Sequence, residues 1–405
     1  MQVTIKKGKA YGIVQAPPSK SYSHRHLIMM ALAGKGVVKN IVYNDDINAT
    51  LDCLQHLGFM FEKKYDSVEF KGEHTCSYNP ILDCKESGST LRMIIPLAMT
   101  RTEKCRFTGS KQLLSRGIHT YIECLPSHGL SFSQTEDMIT VEGKLTPGTF
   151  SVNGSVSSQF ISGLMIALPL LEENSQLNIL PPISSKSYIQ MTYETSKEYG
   201  IEINREQNGQ SYYIPGNQKY EPHEAIVEAD ESNSAFIDAL NYMGGTVVLR
   251  GLKEQSTQGD SIYHSLFPLL SQEFGTVDVT DCIDLGPILM VFGAVHKGVK
   301  LTGSSRLRTK ESDRVMAMKE ELEKVGVIVE EGDDEVTVYP TYKPNSEVKF
   351  DAHNDHRVLM SLCVLSAYQN VTINQAECVN KSFPDFYKKL LQLGLRVEAV
   401  HEEEW

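Results

Sequence analysis

A chain of 405 residues with 41% hydrophobic content is too long for one ordinary core and predicts two domains of about 200 residues each. Its formal net charge of −12 excludes a broad nucleic-acid or anionic-membrane surface unless basic residues gather on one face, so any local basic cluster suits small anions better. No apolar run reaches membrane-spanning length, the most apolar one, Phe160 to Leu171, being broken by Gly163 and Pro169.

The alternation of Val3 and Ile5 with Thr4 and Lys6 predicts a first strand, and Gly12 to Gln15 a second, which Pro17-Pro18 ends. Ser19 to Ser23 offers N-caps for a helix to about Ala33, closed by Gly34 and Gly36 before a strand from Val37 to Tyr43. A polar loop, Asn44-Asp45-Asp46, leads to a second helix finishing at Leu57-Gly58-Phe59.

That order of apolar helix, strand, polar loop and amphipathic helix ending at glycine returns along the chain. The second copy runs from Ser89 to His128-Gly129-Leu130, the third from Ser157 to Tyr199-Gly200-Ile201, and the fourth from Ser232 to Phe274-Gly275. The fifth runs from Asp284 to Val325-Gly326-Val327 and the sixth from Asn354 to Leu393-Gly394-Leu395. The closing glycines recur roughly every 70 residues, with a shorter fifth copy, a period too long for the usual solenoids. Six copies in two domains give three per domain. All-round apolar segments such as Ile161 to Leu171 and Ile288 to Val295 predict helices inside and sheets outside. The polar loops before the second helices then share one rim of each domain, and two rims facing each other predict a ligand site in an interdomain cleft.

The densest of these loops is Ser304 to Arg314, with four cations and two carboxylates among its hydroxyls. It opens a helix from Val315 to Val325, capped by Ser312 or Asp313, which sets Lys310, Glu311 and Arg314 around the positive helix end. A single such run is as well explained by a solvated, salt-bridged helix start. Its repetition at Lys20-Ser21, Ser89 to Arg92, Ser110 to Arg116, Ser157-Ser158-Gln159, Ser184 to Tyr188, His356-Arg357 and Lys381-Ser382 favours an anion site. The eight cysteines form no Cys-x-x-Cys pair and follow no secretory pattern, and the twelve histidines include no His-Glu-x-x-His. Reduced thiols in a cytoplasmic protein, no metal and no cofactor are expected.

Six strings carry a resemblance. They are Pro18-Ser19-Lys20-Ser21-Tyr22-Ser23-His24-Arg25, Glu86-Ser87-Gly88-Ser89-Thr90-Leu91-Arg92, Gly154-Ser155-Val156-Ser157-Ser158-Gln159-Phe160, Lys310-Glu311-Ser312-Asp313-Arg314, Asn354-Asp355-His356-Arg357 and Lys381-Ser382-Phe383-Pro384-Asp385. In this order and over nearly its whole length, the chain resembles the 5-enolpyruvylshikimate-3-phosphate synthases, the 3-phosphoshikimate 1-carboxyvinyltransferases of the shikimate pathway. The resemblance implies a two-domain inside-out α/β barrel with three helix-strand repeats per domain. Residues 16–227 would form the first domain and residues 1–15 plus 228–405 the second, with hinges near 16 and 228.

The reaction it implies transfers the enolpyruvyl group of phosphoenolpyruvate to the 5-hydroxyl of shikimate 3-phosphate with release of phosphate. By position in the motifs, Lys20, Ser21, Arg25, Ser157, Ser158, Gln159, Ser185, Tyr188, Asp284, Arg306 and Lys310 would meet shikimate 3-phosphate. Lys20, Gly88, Arg116, Gln159, Arg314, Arg357 and Lys381 would meet phosphoenolpyruvate. Asp284 and Glu311 are the expected acid-base carboxylates, assisted by Lys20, although alone Asp284 reads as a helix cap and Glu311 as a surface ion-pair partner. The family's usual pattern has Asn-Ala-Gly-Thr where this chain has Glu86-Ser87-Gly88-Ser89, and Asn where it has Arg306. The sister transferases acting on UDP-N-acetylglucosamine carry Lys-Asn at Lys20-Ser21 and a reactive cysteine at Lys111, which favours shikimate 3-phosphate here. A non-catalytic anion-binding relative is a third reading. Small-molecule substrates, no nucleic-acid or membrane partner and a monomer are expected.

Overall fold

The computed structural model describes residues 1–207 and 209–400. It divides into two compact units: Pro18–Glu228, the first domain, and Met1–Pro17 with the chain from Ala229 onward, the second. Each has its own hydrophobic core, one built from residues between Tyr22 and Val227, the other from Val3 to Val14 together with Ala235 to Leu395.

The first domain contains helices α1 (Lys20–Ala33), α2 (Asp45–His56), α3 (Gly88–Ala98), α4 (Lys111–Ser115), α5 (His119–Cys124), α6 (Ser158–Ala167) and α7 (Lys186–Glu198). The second contains α8 (Glu231–Tyr242), α9 (Tyr263–Gln272), α10 (Gly286–Val295), α11 (Arg314–Glu323), α12 (His356–Cys363) and α13 (Phe386–Gln392). Short polar side chains start α1, α2, α3, α4, α6, α8, α11 and α12, each accepting a backbone N–H that the first turn leaves unsatisfied. Ser87 accepts from Thr90, Asp313 from Met316 and Asp355 from Arg357, at 3.2, 3.0 and 2.9 Å. Asp313, of the two candidates, therefore caps α11.

The first helix of each copy is the buried one. All of α12 is buried, as is α10 from Gly286 to Ala294, whereas α11 exposes Met316. Three sheets surround the helices in each domain. In the third copy Thr149–Asn153 runs parallel to Ser175–Leu180, which pairs antiparallel with Ser211–Ile214, and that strand with Asn204–Arg205. The same parallel-then-antiparallel pattern recurs in the first, second, fifth and sixth copies. In the first copy the parallel strand is Glu224–Ile226, from the far end of that domain, and in the sixth an antiparallel strand is Gln2–Ile5. The fourth copy keeps two strands, Tyr11–Gln15 beside Thr246–Arg250.

Two elements differ from the sequence expectation. The strand expected over Val37 to Tyr43 is Lys35–Lys39, because Asn40 turns left-handed at φ 60° and its Nδ2 donates to the Val227 carbonyl at 2.7 Å. The second helix of the second copy is divided into α4, α5 and a 3-10 turn at Pro126–His128, with Gly117 at φ 70° breaking it after Arg116.

Candidate active site

In the first domain the polar side chains gather at the N-terminal ends of α1, α3, α6 and α7, where exposed backbone N–H groups favour anions. Lys20 Nζ donates to Asp46 Oδ2 at 2.6 Å, and Asp46, in the first turn of α2, is itself buried. Beneath them Ser87, Thr90, Thr50 and His24 form a chain of hydroxyl and imidazole contacts of 2.7 to 2.8 Å. Burial drives His24 down to about 3, so the chain ends in a neutral ring.

Gln159 connects two helices. Its Oε1 accepts from Arg92 Nη1 at 2.7 Å and its Nε2 donates to Ser89 Oγ at 2.9 Å. Gly88 lies against the same groups: a Cβ there would be 3.2 Å from Arg92 Nη1, 3.4 Å from Gln159 Oε1 and 3.8 Å from Arg116 Nη2. Two guanidinium groups and a helix N-terminus thus converge on a backbone without a side chain, a geometry suited to an oxyanion. Arg116 Nε is buried without a hydrogen-bond partner.

Ser157 caps α6, with Ser158 following it in the first turn, and Ser185, at φ 55° and nearly fully buried, precedes α7 and Tyr188. Arg25 is the surprise of this group. Its Nε donates to Thr192 Oγ1 at 2.8 Å, Nη1 to the Ser21 carbonyl at 2.8 Å, and Nη2 to Ser162 Oγ and the Tyr188 carbonyl at 3.1 and 2.9 Å. At 1% exposure it ties α1, α6 and α7 together and retains one Nη1 hydrogen for anything else. Burial lowers it to about 10.

The second domain builds a different cluster. Arg314, 1% exposed, donates through Nε to Asp355 Oδ2 at 2.8 Å, through Nη1 to Asp284 Oδ1 at 2.9 Å and through Nη2 to Glu311 Oε2 at 2.8 Å. Lys310 Nζ is 3.6 Å from the same Asp284 oxygen, and Arg357 Nη2 is 3.2 Å from Asp284 Oδ2. Burial alone would push the Asp284 carboxyl up, but Arg357, Lys310 and Arg314 together hold it well below the usual carboxylate range. Burial lowers Lys310 to about 8 against the pull of Asp284, helped by Arg306 and Arg314. Lys381, also buried, lies in the 3-10 turn Ala376–Lys381 before α13, and Arg306 in the 3-10 turn Ser305–Thr309.

Asp355 organises this cluster from beneath. Fully buried, it accepts from Arg314, from Ser312 Oγ at 3.1 Å and from the Arg357 backbone N–H. Two consecutive left-handed residues, His353 and Asn354 at φ 51°, turn the chain into that position. Neither Asp355 nor Asp46 is among the sequence-derived site residues; the signal was an acid at the cap of a helix bearing a candidate cation for Asp355 and an acid in the first turn of α2 for Asp46, which usually means capping alone. Among the described residues, Glu320, Glu321 and His353 could approach one ion. Glu321 is already engaged by Lys324 Nζ, His353 Nε2 and the Asp351 N–H at 2.6, 2.8 and 2.9 Å.

The chain matches the family described as EPSP synthase (3-phosphoshikimate 1-carboxyvinyltransferase) over residues 5–390. This chain belongs to the EPSP synthase family. Among curated family members, the 3-phosphoshikimate 1-carboxyvinyltransferase of Clostridioides difficile is 34% identical over 97% of this chain and 98% of its own length. That of Clostridium novyi is 35% identical over 95% of each. Two solved EPSP synthases of Acinetobacter baumannii share 21% and 20% identity at TM-scores of 0.77 and 0.79, covering 98% and 99% of this chain and all of theirs. The EPSP synthase fold, an inside-out α/β barrel in two domains, is therefore the fold of this chain, as the resemblance implied and in agreement with the three glycine-terminated repeats read in each domain. No helix among the described residues is long and apolar enough to cross a membrane. The UDP-N-acetylglucosamine alternative is not favoured by these relatives.

Proposed function

We infer that the protein is a 3-phosphoshikimate 1-carboxyvinyltransferase, transferring the enolpyruvyl group of phosphoenolpyruvate to the 5-hydroxyl of shikimate 3-phosphate on the route to chorismate and the aromatic amino acids. The observation that carries the reading is Asp284, one carboxylate facing three cations at 2.9 to 3.6 Å, in a chain that matches this family over residues 5–390. Phosphoenolpyruvate brings a phosphate and a carboxylate, and planar guanidinium groups suit both. Arg357 Nη1 is buried without a hydrogen-bond partner and is assigned to the incoming anion. By their positions in the motifs, Arg314, Lys381, Lys20, Gly88, Gln159 and Arg116 are assigned to the same substrate.

Shikimate 3-phosphate is assigned to Ser21, Ser157, Ser158, Gln159, Ser185 and Tyr188, with Lys20, Arg306 and Lys310 meeting its charges. Arg25 contributes at most its one remaining N–H. In the addition step the 5-hydroxyl oxygen bonds to C2 of phosphoenolpyruvate while its proton passes to a base and the methylene carbon gains a proton. Asp284, held ionised, is assigned as that base, and Glu311 as the donor at the methylene carbon. In the elimination the methyl carbon returns a proton to Glu311, the carbon–carbon double bond forms, and phosphate leaves with the C–O bonding pair and takes the proton held by Asp284. Lys20 stabilises charge developing on the departing phosphate.

The test is phosphate release from the two substrates together. Release that requires both, with formation of the enolpyruvyl product, is expected. Release from phosphoenolpyruvate with UDP-N-acetylglucosamine instead, or none with either acceptor, overturns the reading.

A further inference from the structure

The second domain holds a carboxyl group that the mechanism above does not use. Asp260 sits in the 3-10 turn Gly259–Ile262, which packs against α8 and the turn carrying Asp284, and it is 1% exposed. Its Oδ2 accepts from the Ser232 hydroxyl, and its Oδ1 is buried without a hydrogen-bond partner. No Lys or Arg nitrogen lies within 4 Å of it among the described residues.

The neighbouring carboxylates are each better supported. Asp284 has Arg314, Arg357 and Lys310; Glu311 has Arg314; Asp355 has Arg314, Ser312 and a backbone N–H; Asp230 caps α8 by accepting the Asn233 N–H at 2.7 Å. Asp260 has one hydroxyl. The groups acting on it are Asp230 and Ser232 from α8, Asp284 from the adjoining turn, where Cys282 also feels its field, and Arg357 from α12. His264, close in sequence, is bonded to Glu231 at 3.0 Å. Burial, then Asp284, raises Asp260 to about 7, and Arg357 is the cation that opposes the rise.

An anion on Arg357 cancels that opposition. The ionised Asp260 would then face Asp284 and Asp230 in a low-dielectric interior with no compensating cation, and it is the least supported carboxyl of the set. We propose that Asp260 is a positioning residue of the phosphoenolpyruvate site: it takes one proton from solvent as the ligand binds Arg357, and returns it when phosphate departs. The neutral acid keeps Arg357 directed at the ligand, and its free Oδ1 no longer carries charge into the cluster. The proposal rests on the assignment of Arg357 to phosphoenolpyruvate.

The experiment measures the KM for phosphoenolpyruvate at saturating shikimate 3-phosphate between pH 6 and 9 in the wild type, Asp260→Asn and Ser232→Ala. Ionisation of the substrate phosphate is common to all three, so the reading is the difference between proteins. Above pH 7 the wild-type KM is expected to rise relative to that of Asp260→Asn, by up to about tenfold per pH unit for a single linked proton, with kcat moving less. Ser232→Ala, which removes the one hydrogen bond stabilising the carboxylate, is expected to shift the break to higher pH. This second variant decides the matter if Asp260→Asn does not fold. Calorimetric titration in buffers of different ionisation enthalpy at pH 8 should show about one proton fewer taken up by Asp260→Asn. Parallel pH profiles, or an unmoved break in Ser232→Ala, overturn the proposal alone. A wild-type protein that releases no phosphate overturns the functional reading and the proposal with it.

Discussion

The two domains gather cations for anions in different ways. Around α1, α3 and α6 the basic groups rest on short or neutral partners: Lys20 on Asp46, Arg92 on the Gln159 amide, with Arg116 Nε unpartnered. Around α11 and α12 Arg314, Arg357 and Lys310 interlock with Asp284, Glu311 and Asp355. The first arrangement has a site ready for an anion; the second is balanced until one arrives. Charge balance of the second kind keeps a base ionised among arginines, and it makes each cation matter to the fold as well as to the ligand.

The sharpest way to break the contrast is Arg314→Met. It takes one cation from Asp284, Asp355 and Glu311 at once, so kcat/KM should fall by at least about a thousandfold, and stability by about 3–5 kcal/mol, as expected when one member of a buried ion cluster is removed. Phosphate release and urea midpoints measure the two effects. The corresponding change in the first domain, Lys20→Met, should cost activity with a clearly smaller loss of stability. Equal stability losses would remove the distinction between the halves.

Asp284→Asn comes next. It keeps the shape of the side chain while removing the charge, and a lost acid-base group lowers kcat by roughly 10²–10⁴. Because Arg314 and Arg357 are then less strongly bound within the domain, the KM for phosphoenolpyruvate should stay the same or decrease. A large rise in KM with an unchanged kcat would show Asp284 to be a binding group only.

Gly88→Ala probes the first domain with a smaller effect. A Cβ at 3.2 Å from Arg92 Nη1 and 3.4 Å from Gln159 Oε1 moves the guanidinium by a few tenths of an ångström. The KM for phosphoenolpyruvate should rise about tenfold, roughly 1.4 kcal/mol, with kcat and thermal stability nearly unchanged. If KM stays within twofold of the wild-type value, Gly88 does not border the ligand.

Much of the fold was legible because local rules determine it. Closing glycines such as Gly58, Gly129, Gly200, Gly326 and Gly394 do adopt positive φ, and serines or aspartates do cap α1, α3, α6, α11 and α12. The strand partners were not legible. Glu224–Ile226 and Gln2–Ile5 complete sheets whose other strands lie far along the chain, and no local pattern encodes such closure. Charged residues were legible as a set and less so as individuals. Arg25 and Arg314 look alike in sequence, yet one is bonded mainly to hydroxyls and carbonyls and the other to carboxylates. Asp355 and Asp260 were hidden for the same reason: a cap and a turn residue gain their electrostatic meaning only from helices that arrive from elsewhere.

The smallest effect concerns the loop that presents Asp355. The hydrogen bond that His353 Nε2 donates to Glu321 raises the imidazole above its usual value, with burial opposing. A raised folded-state value means that the contribution to stability is fully present below the unfolded value of about 6.5 and is lost as pH climbs through the folded one. His353→Gln should therefore cost about 1 kcal/mol at pH 6, the scale of one partly buried hydrogen bond, and less at pH 8.5, measured by urea unfolding at both. Because His353 touches Glu321 rather than the arginines, kcat at pH 8.5 should change by less than about threefold, in contrast with Arg314→Met. If kcat falls as far as stability is lost, the left-handed turn at His353 and Asn354 is part of the charge cluster itself, and the balance around Asp284 depends on that loop as much as on the ions it brings together.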